Sequence, residues 1–306
     1  MSRESKHGLL LVDKEPGWTS HDVVQKSRRI LAEKRIGHCG TLDPAATGLL
    51  VLTLGRATRL TRFLIRAPKV YEGVLRLGVT TDTYDAEGRV QREAPFEAVT
   101  EAAVRSEMTW FEGSYLQQPP PYSAKKVKGV RLYELARRGE EVEVEPKEVE
   151  VYEFVPAGPL VEGRMRFRLA CASGTYARSL VHDLGARLGC GAHLAELRRL
   201  SVGPFKVEDA LTIGALTERM AEDRDLGAAW YPFDAIPLPF EEVTADGQQE
   251  QRIHNGQAVL VRELPGQEGD WVKVVNRRRE LIAVGSIVEK IGSAGMSLVQ
   301  PKVVFR

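Results

Sequence analysis

The feature that most constrains this chain is a glycine-rich segment that carries one carboxylate and leads directly into an apolar stretch. The segment covers residues 35–48 and places three glycines around Asp43. Pro44 disfavours the α-helical region for the residue before it, so Asp43 is expected in an extended or turn conformation. Residues 49–54 are apolar except for one threonine, which is typical of a buried strand. The sequence therefore predicts a carboxylate on an irregular turn in front of a rigid strand, a position that suits a catalytic group.

The same segment also has an ordinary structural explanation. Asp followed by Pro is common in turns and at helix N-termini, and the local pattern alone favours that explanation for Asp43. A longer match changes the balance, because the order of residue types resembles the catalytic signature of the TruB family of tRNA pseudouridine synthases. The residues that carry the resemblance are Gly37-His38-Cys39-Gly40-Thr41-Leu42-Asp43-Pro44 and Ala46-Thr47-Gly48. Cys39 departs from the family's usual residue, and we interpret it as a tolerated small residue and not as a nucleophile.

The composition limits the class of protein. The 306 residues are 43% hydrophobic and 28% charged, which fits a globular protein with one large domain and a smaller one. The net charge is only +1, so affinity for nucleic acid must come from local patches. Three cysteines without paired or metal-ligand spacing, and no secretory signal, predict a reducing cytoplasm. The absence of a membrane-length apolar stretch, a phosphate-binding loop, a dinucleotide fingerprint and a metalloprotease motif argues against membrane insertion and against nucleotide- or metal-dependent chemistry.

Two segments after the apolar stretch have both a structural and a functional explanation. Residues 69–78 are typical of a strand that enters a glycine turn, in which Tyr71 would be an ordinary strand aromatic. Residues 80–88 form an acidic turn that contains Asp85, and the spacing of its carboxylates does not match a calcium-binding loop. The family resemblance implies that Tyr71 stacks on the target base and takes part in removing a proton from it. It also implies that Asp85 belongs to the charge network of the active site.

A basic segment follows three prolines in the middle of the chain. Between residues 125 and 138, six cations stand against one glutamate. Such a run is usually only solvated, but cations interleaved with tyrosines also suit RNA phosphates and bases. Because the segment resembles the family's mobile RNA-binding loop, Lys125, Lys126 and Lys128 are expected to contact the substrate.

Another cation stands in an unusual position. Arg178 lies in the first turn of a predicted helix, where the helix dipole disfavours a positive charge, and Ser173 or Thr175 is expected to cap that helix. A cation there needs a carboxylate or a phosphate nearby. The family resemblance pairs Arg178 with Asp43, and we expect a forked pair in which two guanidinium nitrogens contact the carboxylate.

The expected fold is a mixed α/β (α+β) pseudouridine synthase fold, with a long, mostly antiparallel sheet and flanking helices. The sequence itself indicates only the mixture, and the resemblance implies the sheet arrangement. The catalytic domain is expected to cover residues 1–235, with an RNA-binding insertion around residues 117–152. Short strands after a proline cluster predict a small β-barrel-like domain over residues 236–306. That domain is either a PUA-like RNA-binding module or a β-rich extension that only supports the main domain.

The resemblance implies an enzyme that isomerises uridine to pseudouridine at position 55 in the T-arm of tRNA. The reaction breaks the N1–C1′ bond, turns the uracil and joins C5 to C1′, so no cofactor and no metal is expected. The expected catalytic residues are Asp43, Tyr71 and Arg178. Contacts to the substrate are also expected from Asp85, from His38, which would hold the RNA open where the base has left, and from Leu200, as an apolar wall of the base pocket.

Two other functions fit parts of the sequence. One is an RNA-binding or RNA-folding protein without activity, which the joint presence of Asp43, Tyr71 and Arg178 argues against. The other is the guide-RNA-dependent branch of the same superfamily, which works inside a multi-protein particle. Because the chain has no charged terminal extensions, we expect a monomer that binds tRNA without a guide RNA or an obligatory protein partner. Whether Asp43 attacks C1′, attacks C6 or removes a ribose proton stays open.

Overall fold

The computed structural model describes residues 6–122, 126–127, 130–131, 144–291 and 295–305, and of residues 126–127 and 130–131 it describes the backbone only. This part of the chain contains two large sheets and two short hairpins. In chain order the strands are β1 (Gly8–Lys14), β2 (Ile36–His38), β3 (Thr47–Leu54), β4 (Lys69–Leu77), β5 (Val79–Thr81), β6 (Val90–Glu93), β7 (Gly113–Gln117), β8 (Lys126–Val127), β9 (Val130–Arg131), β10 (Lys147–Pro156), β11 (Arg164–Cys171), β12 (Ala192–Val202), β13 (Phe205–Lys206), β14 (Trp230–Pro232), β15 (Glu241–Thr244), β16 (Val259–Arg262), β17 (Trp271–Val275), β18 (Leu281–Ile291) and β19 (Met296–Val304).

The larger sheet has ten strands and supports the site described below. Its order is β14-β1-β3-β12-β4-β11-β10-β7, with β2 beside β3 and β13 beside β12. Among the described strands of this sheet, only β3 and β12 run parallel to each other. Burial alternates along β4, so one face of this strand is covered and the other is more open to solvent. The expectation of a long, mostly antiparallel sheet is therefore confirmed.

The helices begin at different residues from those that the sequence predicts. Ser20 is a favoured capping residue directly before a helix that the sequence predicts to begin near His21. Thr19 instead caps α1 in a capping box with Asp22, so that prediction was wrong. Tyr176 precedes α4 without a side-chain cap, so the caps expected from Ser173 or Thr175 were wrong as well. In the described part of the chain, no helix is long and apolar enough to cross a membrane. The helices are α1 (Ser20–Leu31), α2 (Thr61–Leu64), α3 (Glu101–Trp110), α4 (Ala177–Arg187), α5 (Ile213–Ala221) and α6 (Gly247–His254), with 3-10 segments at Gly55–Leu60, Val207–Asp209, Gly227–Ala229 and Phe233–Ala235.

Two apolar cores flank the centre of the large sheet. One is built from β1, β3, α1 and α5, and the other from β4, β10, β11, α3 and α4. The glycine-rich segment of the sequence lies between them, because Cys39 is buried in the first core whereas Leu42 and Ala46 are buried in the second. Both cores therefore anchor the segment that carries Asp43.

The C-terminal sheet has the order β15-β17-β18-β19-β16, and α6 packs on it around a small core of its own. Three apolar residues of this sheet, Leu281, Val284 and Val303, and Phe305 directly after β19 also belong to the first core of the main sheet. This confirms a small β-rich C-terminal unit. The sequence patterns missed β15 and α6, because both are short and mostly polar.

Candidate active site

The segment between β2 and β3, residues 39–46, is called the aspartate loop here. The backbone N–H of Ala46 donates to the carbonyl of Asp43 at 3.1 Å, which closes a turn around the aspartate. Gly48 follows with a φ of +97°, and a Cβ atom there would lie 2.3 Å from the carbonyl oxygen of Arg199 on β12. Only glycine allows both this backbone conformation and this close approach. The loop is therefore seated directly against β12.

Arg199, on β12, binds the backbone of the aspartate loop. Its side chain is fully buried, although β12 is otherwise a strand of mixed polarity. Nε donates to the carbonyl of Leu49 at 2.7 Å, Nη2 to that of Gly40 at 3.0 Å and Nη1 to that of Thr41 at 3.5 Å. One rigid guanidinium thus binds two carbonyls within the loop and one on β3, the strand that follows it. Arg199 was not expected from the sequence, because a cation on a strand of mixed polarity is usually exposed.

Lys14 holds the other side of the loop. Its fully buried ammonium donates to the carbonyls of Trp18 at 2.7 Å, Pro44 at 3.0 Å and Glu15 at 3.1 Å. Burial lowers the pKa of Lys14, and the nearby charge of Asp43 opposes that shift. The contact to Pro44 connects β1 to the residue that follows Asp43. This contact was also missed, because a lysine at the end of a strand is usually exposed.

Ser20 binds the loop at the residue before Asp43. Its hydroxyl accepts a hydrogen bond from the N–H of Leu42 at 2.8 Å and donates to the carbonyl of the same residue at 3.1 Å. This explains why Thr19, and not Ser20, caps α1. The backbone on both sides of Asp43 is therefore bound by buried side chains, as a preorganised catalytic group requires.

Arg178 meets Asp43 at the front of the loop. Its Nε lies 2.9 Å from Oδ2 of Asp43, and its Nη1 lies 3.5 Å from Oδ2 of Asp85. The guanidinium also donates to the carbonyls of Thr83 and Tyr122, each at 3.0 Å. The structure thus brings together the residues that the sequence analysis paired. One contact of the expected pair is present, and the second contact of the fork stays a prediction, because Nη1 and Nη2 also donate to the carbonyls of Thr83 and Tyr122.

Asp85 is itself held in a tight turn. Its Oδ1 accepts a hydrogen bond from the hydroxyl of Thr83 at 2.5 Å and another from the N–H of Glu87 at 3.1 Å. Its Oδ2 is thereby left to face Arg178. Asp85 balances the charge of the guanidinium without touching the pocket in front of Asp43.

The electrostatic state of Asp43 follows from these neighbours. Burial raises the pKa of the Asp43 carboxyl above its usual range, whereas Arg178 opposes the shift; the negative charge of Asp85 raises it further. About 40% of the side chain is nevertheless exposed, because the carboxylate faces an open cleft. Asp43 is therefore a carboxylate that a substrate can reach and that Arg178 helps to keep ionised.

A pocket of about 300 Å³ lies in front of Asp43. Tyr71 on β4 forms part of its wall with only 9% of its surface exposed, and burial raises the pKa of its hydroxyl, so Tyr71 is neutral. The pocket is lined by Gly40, Thr41, Leu42, Asp43, Ile65, Lys69, Tyr71, Ser173, Gly174, Thr175, Tyr176, Ala177, Arg178, Leu197 and Arg199. Its size and mixed lining suit a single nucleoside and not a folded RNA.

Lys69 brings a titratable amine to this pocket. Burial, with the charge of Arg199 adding to it, lowers the pKa of Lys69 to about 8. Its ammonium donates to the carbonyls of Ile65 at 2.9 Å and Ala67 at 2.8 Å, at the end of α2. Lys69 therefore connects α2 to the pocket, a role that the sequence analysis did not assign.

The apolar wall of the pocket is Leu197 and not Leu200. Leu200 packs against the first core, on the side of β12 that faces away from Tyr71. Leu197 lines the pocket and packs against the second core. The expectation for Leu200 was wrong because the side chains of a strand alternate between its faces, and three positions separate the two leucines.

Among the remaining expected site residues, His38 does not line the pocket. His38 is on β2, and burial lowers the pKa of its ring, which is therefore neutral near pH 7. Burial likewise raises the pKa of the neighbouring Cys39 thiol to about 12, in agreement with a structural role. Lys125 and Lys128 lie outside the described residues, and of Lys126 only the backbone is described.

Comparison with known proteins identifies close relatives. A profile described as TruB family pseudouridylate synthase (N terminal domain) matches residues 28–177, and one described as tRNA pseudouridylate synthase B C-terminal domain matches residues 178–243. A protein of Solibacter usitatus named tRNA pseudouridine synthase B is 45% identical over 92% of this chain and 96% of its own length. A protein of Opitutus terrae with the same name is 50% identical over 70% of this chain and 88% of its own.

Solved structures with a similar fold have lower identity. The chain is 27% identical to one in the crystal structure of the archaeal box H/ACA sRNP Nop10-Cbf5 complex, with a TM-score of 0.74 over 98% of this chain and 86% of that one. It is 25% identical to one in the structure of an H/ACA RNP bound to a substrate RNA containing 2′-deoxyuridine, with a TM-score of 0.75 over 100% and 92% of the two chains.

Proposed function

Because this chain belongs to the TruB family of pseudouridylate synthases, we propose that it isomerises uridine to pseudouridine at position 55 in the T-arm of tRNA. Relatives that are 40–50% identical carry the name of a tRNA pseudouridine synthase. The observation that most supports the activity is the ion pair between Arg178 and Asp43 at the mouth of a pocket of nucleoside size.

The proposed chemistry begins with a base that leaves its stack and enters the pocket, at a cost of a few kcal/mol. Tyr71 stacks on the uracil and Leu197, on the neighbouring strand, adds an apolar contact, so the base is held beside Asp43. The N1–C1′ bond breaks, the uracil turns, and C5 joins C1′ while the C5 proton is lost and N1 gains one. Product and substrate are isomers, so no oxidant, reductant or group donor is consumed.

Asp43 has three possible first steps: attack at C1′, attack at C6, or removal of a ribose proton. All three require the carboxylate to be ionised and aimed, which is the role that we assign to Arg178. Asp85 balances the charge of Arg178. Lys14 and Arg199 hold the loop backbone, so that Asp43 does not have to reorganise during the reaction.

Outside the pocket, we propose that the chain works as a monomer in the cytoplasm, on tRNA that is bound without a guide RNA or a partner protein. The support comes from the relatives, which are named as tRNA enzymes, although the structural neighbours are chains of H/ACA complexes. We further propose a catalytic domain up to residue 235, with RNA contacts from Lys125, Lys126 and Lys128 in the insertion around residues 117–152.

The C-terminal unit from residue 236 is proposed to bind RNA as a PUA-like domain. His38 is proposed to hold the RNA open where the base has left.

The experiment is direct. The purified chain alone is incubated with an unmodified tRNA transcript, and pseudouridine is mapped at single-nucleotide resolution. We expect one modified uridine, at position 55. Modification at another position would contradict the proposed site, and a requirement for an added guide RNA or protein would contradict the stand-alone enzyme.

A further inference from the structure

The chain contains a cationic segment of which only the last positive residue lines the pocket. Residues 44–71 contain five positive side chains and no carboxylate, in a chain whose net charge is only +1. The last of the five, Lys69, lines the pocket. The other four are arginines spaced by three, three and four residues: Arg56, Arg59, Arg62 and Arg66.

The local conformation places these arginines along one side of the segment. Residues 55–60 form a 3-10 helix that continues directly into α2. A 3-10 helix has three residues per turn, so side chains three apart lie one above another, and a spacing of four continues the row through an α-helical turn. The neighbouring side is apolar and buried through Ala57, Leu60, Phe63 and Leu64. We call the exposed row formed by Arg59, Arg62 and Arg66 the arginine face.

Aromatic rings lie under this face. The guanidinium carbon of Arg59 lies 5.2 Å from the ring centre of Phe305. That of Arg62 lies 5.0 Å from the ring centre of Phe63 and 5.5 Å from that of Trp271. Stacking on a ring orients a guanidinium and leaves its N–H donors at the edge, where they can bind a phosphate.

Carboxylates do not neutralise this face within the described part of the chain. Arg59, Arg62 and Arg66 are exposed, and none of them has an acidic partner within 4.0 Å among the described residues. Elsewhere, arginines commonly have such a partner: Arg164, Arg168, Arg187 and Arg198 each pair with a carboxylate. The face therefore presents uncompensated positive charge.

The arginine face connects the pocket with the C-terminal unit. Ile65, which precedes Arg66, lines the pocket and is 38% exposed. At the other end, Arg59 lies over Phe305, which packs with the C-terminal sheet into the first core. Seven residues at 1.5–2.0 Å per residue separate Arg59 from Arg66 by about 10–14 Å along the segment. A strand of RNA that leaves the pocket towards the C-terminal unit would pass along this row.

We propose that Arg59, Arg62 and Arg66 bind the sugar–phosphate backbone of the tRNA whose uridine enters the pocket. This inference rests on the proposed function and adds a binding surface to it. Phosphates are the negative groups that every nucleotide supplies, so the contact is independent of sequence and positions the RNA without reading it. Since the arginines lie outside the pocket, they contribute to affinity and not to the chemical step.

The test compares two double variants that remove the same charge. Arg62→Gln with Arg66→Gln removes two members of the face, and Arg59 is left in place because it donates to the carbonyl of Val304 at 2.5 Å. The control, Arg76→Gln with Arg166→Gln, removes two exposed arginines from the other side of the large sheet. The dissociation constant of unmodified tRNA transcript is measured between about 50 and 200 mM salt. Thermal unfolding and the single-turnover rate at saturating protein are measured in parallel.

We expect the first pair to weaken binding and to reduce the slope of log K against log salt by about two, one for each arginine. The saturating rate of pseudouridine formation should stay at the wild-type value, and the control pair should leave the slope unchanged. An unchanged slope in the first pair would overturn the proposal, with a lowered Tm then indicating that the arginines only join the two units. An equal effect in the control pair would overturn it as well. Failure of the proposed function would appear separately, as wild-type protein that forms no pseudouridine.

Discussion

Arg178 approaches Asp43 through Nε, which lies 2.9 Å from Oδ2 of the carboxylate. Its Nη1 donates to the carbonyl of Thr83 and faces Asp85, and its Nη2 donates to the carbonyl of Tyr122. The side chain of Arg178 is 7% exposed, so these contacts leave it a single orientation. Arg178 therefore acts on Asp43 in two ways: its positive charge favours the ionised carboxylate, and its fixed position orients that carboxylate.

The substitution Arg178→Lys separates the effect of the positive charge from the effect of orienting the Asp43 carboxylate. Lysine keeps the positive charge, but it lacks the planar guanidinium that lets Arg178 contact two carbonyls and two carboxylates at once. We predict that the single-turnover rate falls by about 10²-fold, as for a reacting group misplaced by about 1 Å. The affinity for tRNA should stay within a few-fold. A near-normal rate would show that the orientation of the Asp43 carboxylate is unimportant and that a positive charge at position 178 suffices.

The pH dependence of the rate should also depend on Arg178. Burial raises the pKa of Asp43 and Arg178 lowers it, so removal of the arginine raises that pKa further. Because the ionised form is the active one, the rate falls as pH drops through this pKa. We predict that Arg178→Met moves the acid limb of the single-turnover rate to higher pH, and that Arg178→Lys moves it less. An acid limb at the wild-type position in Arg178→Met would contradict the coupling.

Two adjacent arginines on β12 offer a matched test of the loop anchor. Arg199 is buried under the aspartate loop, whereas Arg198 is 42% exposed and pairs with Asp13. Arg199→Leu leaves buried carbonyls without a donor, so we predict a loss of about 3 kcal/mol in the free energy of unfolding and a slower single turnover. Arg198→Leu should cost at most about 1 kcal/mol and leave the rate unchanged. Similar losses in both variants by chemical denaturation would argue against the anchor.

The two leucines of β12 test which one faces the base. Leu197→Ala removes part of the pocket wall, and we predict that kcat/KM falls about tenfold or more while stability changes little. Leu200→Ala opens the first core, and we predict a loss of about 2 kcal/mol in the free energy of unfolding, with kcat/KM close to wild type. The reverse pattern in kinetics and denaturation would place Leu200 in the pocket.

Sequence reasoning predicted the parts of the site that lie in a recognisable motif. Asp43, Tyr71, Arg178 and Asp85 could be named because each stands in a segment with an unusual order of residue types. The mixture of helices and strands and the β-rich C-terminal unit could also be predicted, because apolar alternation and turn residues are local signals. The arrangement of the large sheet came from the family resemblance.

The site residues that could not be predicted from the sequence bind backbone carbonyls of distant residues. Lys14 and Arg199 bind carbonyls of residues that are 30 and about 150 positions away, and no local pattern reports which carbonyl a long side chain will reach. The carbonyls of Thr83 and Tyr122 that bind Arg178 could not be predicted for the same reason, since they come from distant segments. Leu200 was assigned to the pocket through the family resemblance, which did not distinguish it from Leu197, three positions earlier and on the opposite face of β12.

The central claim is that the carboxylate of Asp43 performs the chemistry, and Asp43→Asn tests it most directly. Asparagine has nearly the same shape but cannot ionise, so the loop and the pocket should persist. A control, Asp13→Asn, removes another ion-paired carboxylate, one that does not line the pocket. With protein in excess over unmodified tRNA, we predict that Asp43→Asn forms no detectable pseudouridine and binds tRNA within a few-fold of wild type, while Asp13→Asn keeps a rate near wild type. Pseudouridine formed by Asp43→Asn at a rate near wild type would contradict the account.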